Sequence, residues 1–278
     1  MITVVLSLAA ALLYGVGDFA GGIASRRHTA ITVLLLSYPV GAVLMAVMLP
    51  LFGGSPDTRS VVFGIAGGAA GLVGVLLMYS MMTVAPINVI SPVTAVLAAI
   101  VPVVVGVGIG ERPHVTAWFG IALGLAAVVL VSRTTDAHPH GRIGMRILAL
   151  ALVSGLGFGM YFVFLARASS DSGLWPLAVS RFASALLIVP LAWKRGALAI
   201  VRGRMLGIIV LAGSCDALAN MCFLLASRHG LLSLASVLTS LYPATTVLLA
   251  VVLLREHTSV TQRIGLGLAA GSIVLITV

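Results

Sequence analysis

The chain alternates between long apolar runs and short polar punctuation. Ten apolar runs stand near residues 2–23, 31–52, 60–82, 87–109, 115–132, 145–166, 174–193, 205–227, 231–254 and 260–277. A helix crosses the hydrocarbon core of a bilayer with about 20 mostly apolar residues, and each run is close to that length. The connections are short, with SRRHTA, GGSPDTRS, GERPH, SSDSG and SRHG among them, and RTTDAHPHGR near the middle of the chain. The weakest marker is Ala85-Pro86-Ile87-Asn88. The pattern predicts an all-α integral membrane protein with ten transmembrane helices.

Composition supports that reading and removes others. Of 278 residues, 60% are apolar and only 8% charged, whereas a soluble domain carries about 25% charged residues. Mean hydropathy is +1.20. Sixteen Lys and Arg stand against seven Asp and Glu, and they gather between the apolar runs, as in loops that face an anionic membrane surface. Nucleic-acid binding would need them on one exposed face with aromatics among them; no such cluster exists, so membrane lipids are the expected macromolecular surroundings. The first run lacks a basic leader and is followed by Ser25-Arg26-Arg27-His28, which reads as a first transmembrane helix instead of a cleaved signal.

Cofactor chemistry finds no foothold in the sequence. Cys215 and Cys222 lie seven residues apart on one predicted helix, roughly 10 Å between Cα atoms and too far for a disulfide. The six histidines fall mostly at helix ends and in loops, without metal-ligand spacing. The nucleotide-binding pattern GxxxxGK[ST] is absent, so neither ATP nor another cofactor is expected.

An internal repeat organises the chain. Shifted by 145 residues, GERPHVTAWFGIALGLAAVVL falls on REHTSVTQRIGLGLAAGSIVL. Seven of twenty-one positions are identical: Glu111 and Glu256, Val115 and Val260, Thr116 and Thr261, Gly120 and Gly265, Leu123 and Leu268, Val129 and Val274, Leu130 and Leu275. Upstream the shift falls to about 140, pairing Tyr14-Gly15-Val16-Gly17 with Ser154-Gly155-Leu156-Gly157. Two five-helix halves follow, 1–132 and 145–278, joined by 133–144. An odd number of spans turns the second half over relative to the first, a transporter plan with its substrate site near the midplane. Most of the 31 glycines read as packing positions where helix backbones approach closely.

These residues resemble the EamA-type branch of the drug/metabolite transporter superfamily. The resemblance rests on the Gly- and Ala-rich first helix, on the acidic residues closing helices four and nine (Gly110-Glu111-Arg112 and Arg255-Glu256-His257), and on the segment 236–257, SVLTSLYPATTVLLAVVLLREH. It covers essentially the whole chain and implies a ten-helix carrier of small metabolites or drugs with a central cavity. Arg255 stands where the family usually has Gly. The resemblance does not fix the substrate.

Three charges fall inside predicted spans: Asp18, Arg181 and Asp216. Each costs about 2.5–3.5 kcal/mol at a helix centre on translocon scales, and such residues are by default functional. Their repeat counterparts, Phe158, the Ser37/Tyr38 position and Gly71/Leu72, are uncharged. Helical spacing places Asn220, Phe223 and Ser227 on the Asp216 face, and Tyr14 on Asp18. Tyr79, Tyr161 and Tyr242 are further candidates for the cavity wall, since a buried phenol needs a partner. The alternative for the charges is an ion pair from Arg181 to either acid that only locks helices together. With two acids and one base, one carboxyl is left to exchange protons. Trp175, near a helix start, reads first as an interface anchor. Prolines 86, 92, 102 and 243 free carbonyls, as hinges or as static kinks. Glu111 and Glu256 read as helix caps outside the site.

The expected function is a secondary transporter in the cytoplasmic membrane, moving a small solute such as an amino acid or amine, with protons as a candidate coupling ion. The alternative is a membrane-embedded enzyme acting on a lipid-linked substrate, which would need a clustered nucleophile, base or metal site. Connections after odd-numbered helices hold eleven Lys or Arg and those after even-numbered helices four, with Arg181 in the membrane. Basic loops stay in the cytoplasm, which favours both termini outside, whereas the family resemblance implies both inside.

Overall fold

The computed structural model of the chain describes residues 1–81, 87–132, 145–198, 201–254 and 258–277, with the backbone alone at 87–93, 250, 253 and 254. Pro86, Arg133, Arg142, Arg255 and Glu256 lie outside the described residues, as does the side chain of Pro92. The elements are α1 (Ile2–Ser25), α2 (Ala30–Phe52), α3 (Thr58–Met81), α4 (Ile87–Gly108), α5 (Val115–Val131), α6 (Met145–Arg167), α7 (Trp175–Lys194), α8 (Arg204–His229), α9 (Leu232–Thr239), α10 (Tyr242–Leu254) and α11 (Val260–Thr277), with one 3₁₀ turn at Ser170–Ser172. No strand occurs among the described residues. Eight helical segments there are long and apolar enough to cross a membrane; Thr94–Gly108 and Val115–Val131 are shorter apolar helices.

The distribution of side chains is that of a lipid-facing bundle. Val43, Val47, Leu51, Phe119, Leu186 and Trp193 stand exposed on the outer faces, while Ser7, Ser154, Ser233, Ser236 and Ser272 are wholly buried. Water would reverse that order; hydrocarbon does not, because it solvates apolar side chains and leaves packing and hydrogen bonds to hold helices together. Interior hydroxyls do the latter: Ser154 donates to Gly74 O at 2.7 Å and Ser272 to Gly120 O at 2.7 Å.

The repeat is visible in the packing. Exchanging the halves carries α1 to α6, α2 to α7, α3 to α8, α4 to α9–α10 and α5 to α11. Under that exchange, α1 against α8 becomes α6 against α3, and α4 against α6 becomes α9–α10 against α1; α5 against α11 and α2 against α7 map onto themselves. The self-paired helices run antiparallel. Gly120 faces Ile276, Gly124 faces Ser272 and Gly265 faces Val131, so the start of each helix meets the end of the other. That is the relation between two halves turned over with respect to one another.

The predicted ninth helix, 231–254, is broken. α9 ends at Thr239, and α10 restarts at Tyr242. Pro243 has no N–H and its ring clashes with the carbonyl four residues back, so the ladder cannot continue. The chain tightens instead, Leu241 N donating to Leu238 O at 3.3 Å and Ala244 N to Leu241 O at 2.9 Å. The N-terminus of α9 is held from the other repeat. Glu111 accepts from Leu232 N and, at 3.0 Å, from Ser233 N, placing a carboxylate at the positive end of the helix dipole. Glu111 is therefore a cap, as expected, but of α9 and not of the helix that follows it.

Gly265 and Gly267 give a direct test of the α5–α11 contact. A Cβ on Gly265 would lie 2.7 Å from Val131 N and 2.8 Å from its Cγ2, whereas one on Gly267 would meet nothing within 4 Å. Gly265→Ala is expected to lower thermal stability in detergent by about 1–3 kcal/mol through overpacking. Gly267→Ala is expected to be neutral or to stabilise by up to about 1 kcal/mol through helix propensity.

Candidate functional site

α8 supplies the core of the site. Asp216 and Asn220 are one turn apart, and the Asn220 amide donates to Asp216 O at 2.6 Å and to Asp216 Oδ1 at 3.3 Å. Gly213, one turn before Asp216, has no room for a Cβ, which would sit 2.4 Å from Ser37 O. That close approach sets α8 directly on α2.

Arg181 enters from α7. Its stem passes Gly41 of α2, where a Cβ would lie 3.4 Å from Arg181 Cδ. Its Nη1 forms an ion pair with Asp216 Oδ2, and its Nη2 donates to Asp216 O at 3.3 Å. The guanidinium carbon lies 5.7 Å from the centre of the Tyr38 ring, within cation–π range. Nε is buried, without a partner among the described residues. The Arg181 side chain is 6% exposed and that of Asp216 is 32% exposed, so the carboxylate faces open space while the guanidinium is walled in.

α1 closes the network. The Tyr14 hydroxyl donates to Asn220 Oδ1, and the Tyr14 ring lies 6.0 Å from Phe162 and 6.1 Å from Tyr242. A continuous path thus runs from Tyr14 through Asn220 and Asp216 to Arg181 and Tyr38. Asp18, one turn beyond Tyr14, lines the same space, and no ion pair to it occurs among the described residues.

These groups surround a partly open cavity. Seven of the eight predicted site residues line it: Tyr14, Asp18, Tyr161, Arg181, Asp216, Asn220 and Tyr242. Tyr79 does not. Its hydroxyl and ring press on Gly21 of α1, within a cluster that includes Tyr38, Met78 and Ile209. Phe223, expected on the Asp216 face, is core, with its ring 4.2 Å from that of Phe162. Trp175 begins α7 half-buried, and the two cysteines are free.

Tyr38, Phe158 and Gly71, which are not among the expected site residues, also line the wall. They are the repeat counterparts of Arg181, Asp18 and Asp216. A cavity on the pseudo-twofold is lined by both members of each pair, so the repeat register itself was the missed signal. Ser180 and Ser184 also line it; Ser184 donates to Gly68 O at 2.9 Å and ties α7 to α3.

An apolar exterior around a charged cavity, built from two inverted halves, defines a multi-pass membrane protein. The sequence matches the EamA-like transporter family over residues 1–133 and again over 145–278, and the chain belongs to that family. Twenty-four chains of solved structures resemble it. One crystal structure among them superposes with a TM-score of 0.79 over 99% of this chain and 96% of its own, at 20% identity; at that identity the likeness speaks to the fold alone. No protein of curated function matches the sequence.

The ion pair makes its own prediction. Removing one partner of a buried pair leaves an uncompensated charge and costs about 3–5 kcal/mol, whereas replacing both with apolar residues is often neutral or better. Asp216→Leu is expected to lower thermal stability in detergent by several kcal/mol, and Arg181→Met with Asp216→Leu to recover most of that loss. Additive losses would show that the pair does not hold α7 to α8.

Proposed function

We propose that the chain is a secondary transporter that carries a small metabolite or drug-like solute, an amino acid or an amine, across the cytoplasmic membrane by alternating access. Proton exchange at cavity carboxylates couples the movement. In this reading α9 and α10 count as one span, α4 and α5 also cross the membrane, and ten spans form two inverted five-helix repeats.

The observation that carries the reading is the placement of all three intramembrane charges on one cavity between the halves. Charges in lipid are tolerated where they face a wet or paired interior, and inverted-repeat carriers bind solute at the repeat interface. Because the α2–α7 and α5–α11 contacts map onto themselves under exchange of halves, the two halves can swap conformations about a cavity that stays central. Asp216 presents its free edge to the solute while Arg181 holds its other side. Asp18, with no basic partner among the described residues, changes the charge of the cavity when it takes up or releases a proton.

Flux in proteoliposomes tests this. A panel of amines and amino acids is assayed with and without a pH gradient. Asp216→Asn and Asp18→Asn, which keep side-chain volume, are expected to lower flux about tenfold or more, as the loss of a charged hydrogen-bond partner worth about 1.5–3 kcal/mol implies. Wild-type flux in both variants would overturn the assignment.

A further inference from the structure

Resting on the transporter reading, we propose that the cavity is an organic-cation site in which Asp18 holds a protonated amine and aromatic rings hold the body attached to it. Charge bookkeeping points there. Three charged groups line the cavity among the described residues: Asp18, Arg181 and Asp216. Arg181 and Asp216 neutralise one another. What remains is the single negative charge of ionised Asp18.

The guanidinium is a poor anion receptor as it stands. One terminal nitrogen is engaged by the Asp216 carboxylate and the other by the Asp216 carbonyl at 3.3 Å. The Tyr38 ring stands 5.7 Å from its carbon. Nε is buried, with no partner among the described residues. With the Asp216 carboxylate cancelling its charge, the guanidinium offers a carboxylate ligand no net positive charge. An amino acid would satisfy its ammonium at Asp18 and leave its own carboxylate without a cation, so the geometry favours a simple amine over a zwitterion.

The walls around Asp18 suit such a ligand. Tyr14 lies one turn before it on α1, with Tyr242 at 6.1 Å and Phe162 at 6.0 Å from the Tyr14 ring. Phe158, the repeat counterpart of Asp18, lines the facing wall from α6. Ammonium groups are attracted to such ring faces, and each contact strengthens when water is excluded. The half of the site that carries the charge and the half that carries the ring are thus symmetry mates, one binding the head of the ligand and the other its body.

The test uses three probes that share a phenyl ring and differ in charge: 2-phenylethylamine, phenylalanine and 3-phenylpropionate. Binding to the purified full chain in detergent is measured by isothermal titration calorimetry, and flux in proteoliposomes is measured separately. The amine is expected to bind at least about tenfold more tightly than either carboxylate-bearing probe, the discrimination expected from one charged contact. Asp18→Asn should abolish that preference, and Asp18→Glu should restore most of it, which separates lost charge from lost folding. Tighter binding of phenylalanine or the acid, unchanged amine binding in Asp18→Asn, or binding of none of the three overturns the cation site. Flux of phenylalanine or the acid without amine preference would leave the transporter reading standing alone. Amine binding that depends on Asp18 but is never accompanied by flux would do the reverse.

Discussion

A guanidinium and a carboxylate inside a lipid-embedded bundle set the terms for the rest of this structure. Each costs several kcal/mol to bring out of water, and their attraction repays that cost only with good geometry and further hydrogen bonds. Arg181 and Asp216 meet the condition through two terminal nitrogens, the Asp216 carbonyl, the Asn220 amide and the Tyr38 ring. Those groups come from α2, α7 and α8, so the pair fixes the three helices around a common point. Small residues make this possible. Gly41 admits the arginine stem, and Gly213 brings α8 against the α2 backbone.

From that point the division of labour between repeat and exception becomes clear. What the two halves share is scaffold: Gly120 and Gly265 seat α5 against α11 from both sides, each where a Cβ would come within 2.7 Å of the opposite helix. What they do not share is charge. Asp18, Arg181 and Asp216 have Phe158, Tyr38 and Gly71 as counterparts, and all six line one cavity. Duplication supplies the frame, and the charges that differ between paired positions, Asp18 in one half and Arg181 and Asp216 in the other, break its symmetry.

Much of this was legible beforehand because the bilayer imposes such strict grammar. Run length marks the helices, since a span is either long enough or not. The shift of 145 residues exposed the repeat, and charges in apolar runs stood out because hydrocarbon makes them costly. Pro243 announced a disturbance in the predicted ninth helix, though not that it would divide into α9 and α10. Long-range partners were not legible. Nothing near Glu111 in sequence indicates that its carboxylate caps α9, 121 residues away. Tyr79 and Tyr161 look alike as phenols in apolar helices, yet one presses on Gly21 and the other lines the cavity. Which face of a helix turns inward is decided by neighbours, and periodicity is weak where outside and inside are both apolar.

A carrier that works by alternating access opens its cavity in turn to each side of the membrane. Ser184 suits the measurement: it is 4% exposed, lines the cavity and sits one turn beyond Ser180 on α7. With Cys215 and Cys222 replaced by alanine, Ser184→Cys can be probed in sealed vesicles with an impermeant thiol reagent applied to one face or the other. Alternating access predicts modification from both faces, with the balance between them shifted by an imposed pH gradient. Modification from one face only, whatever the gradient, would contradict the account.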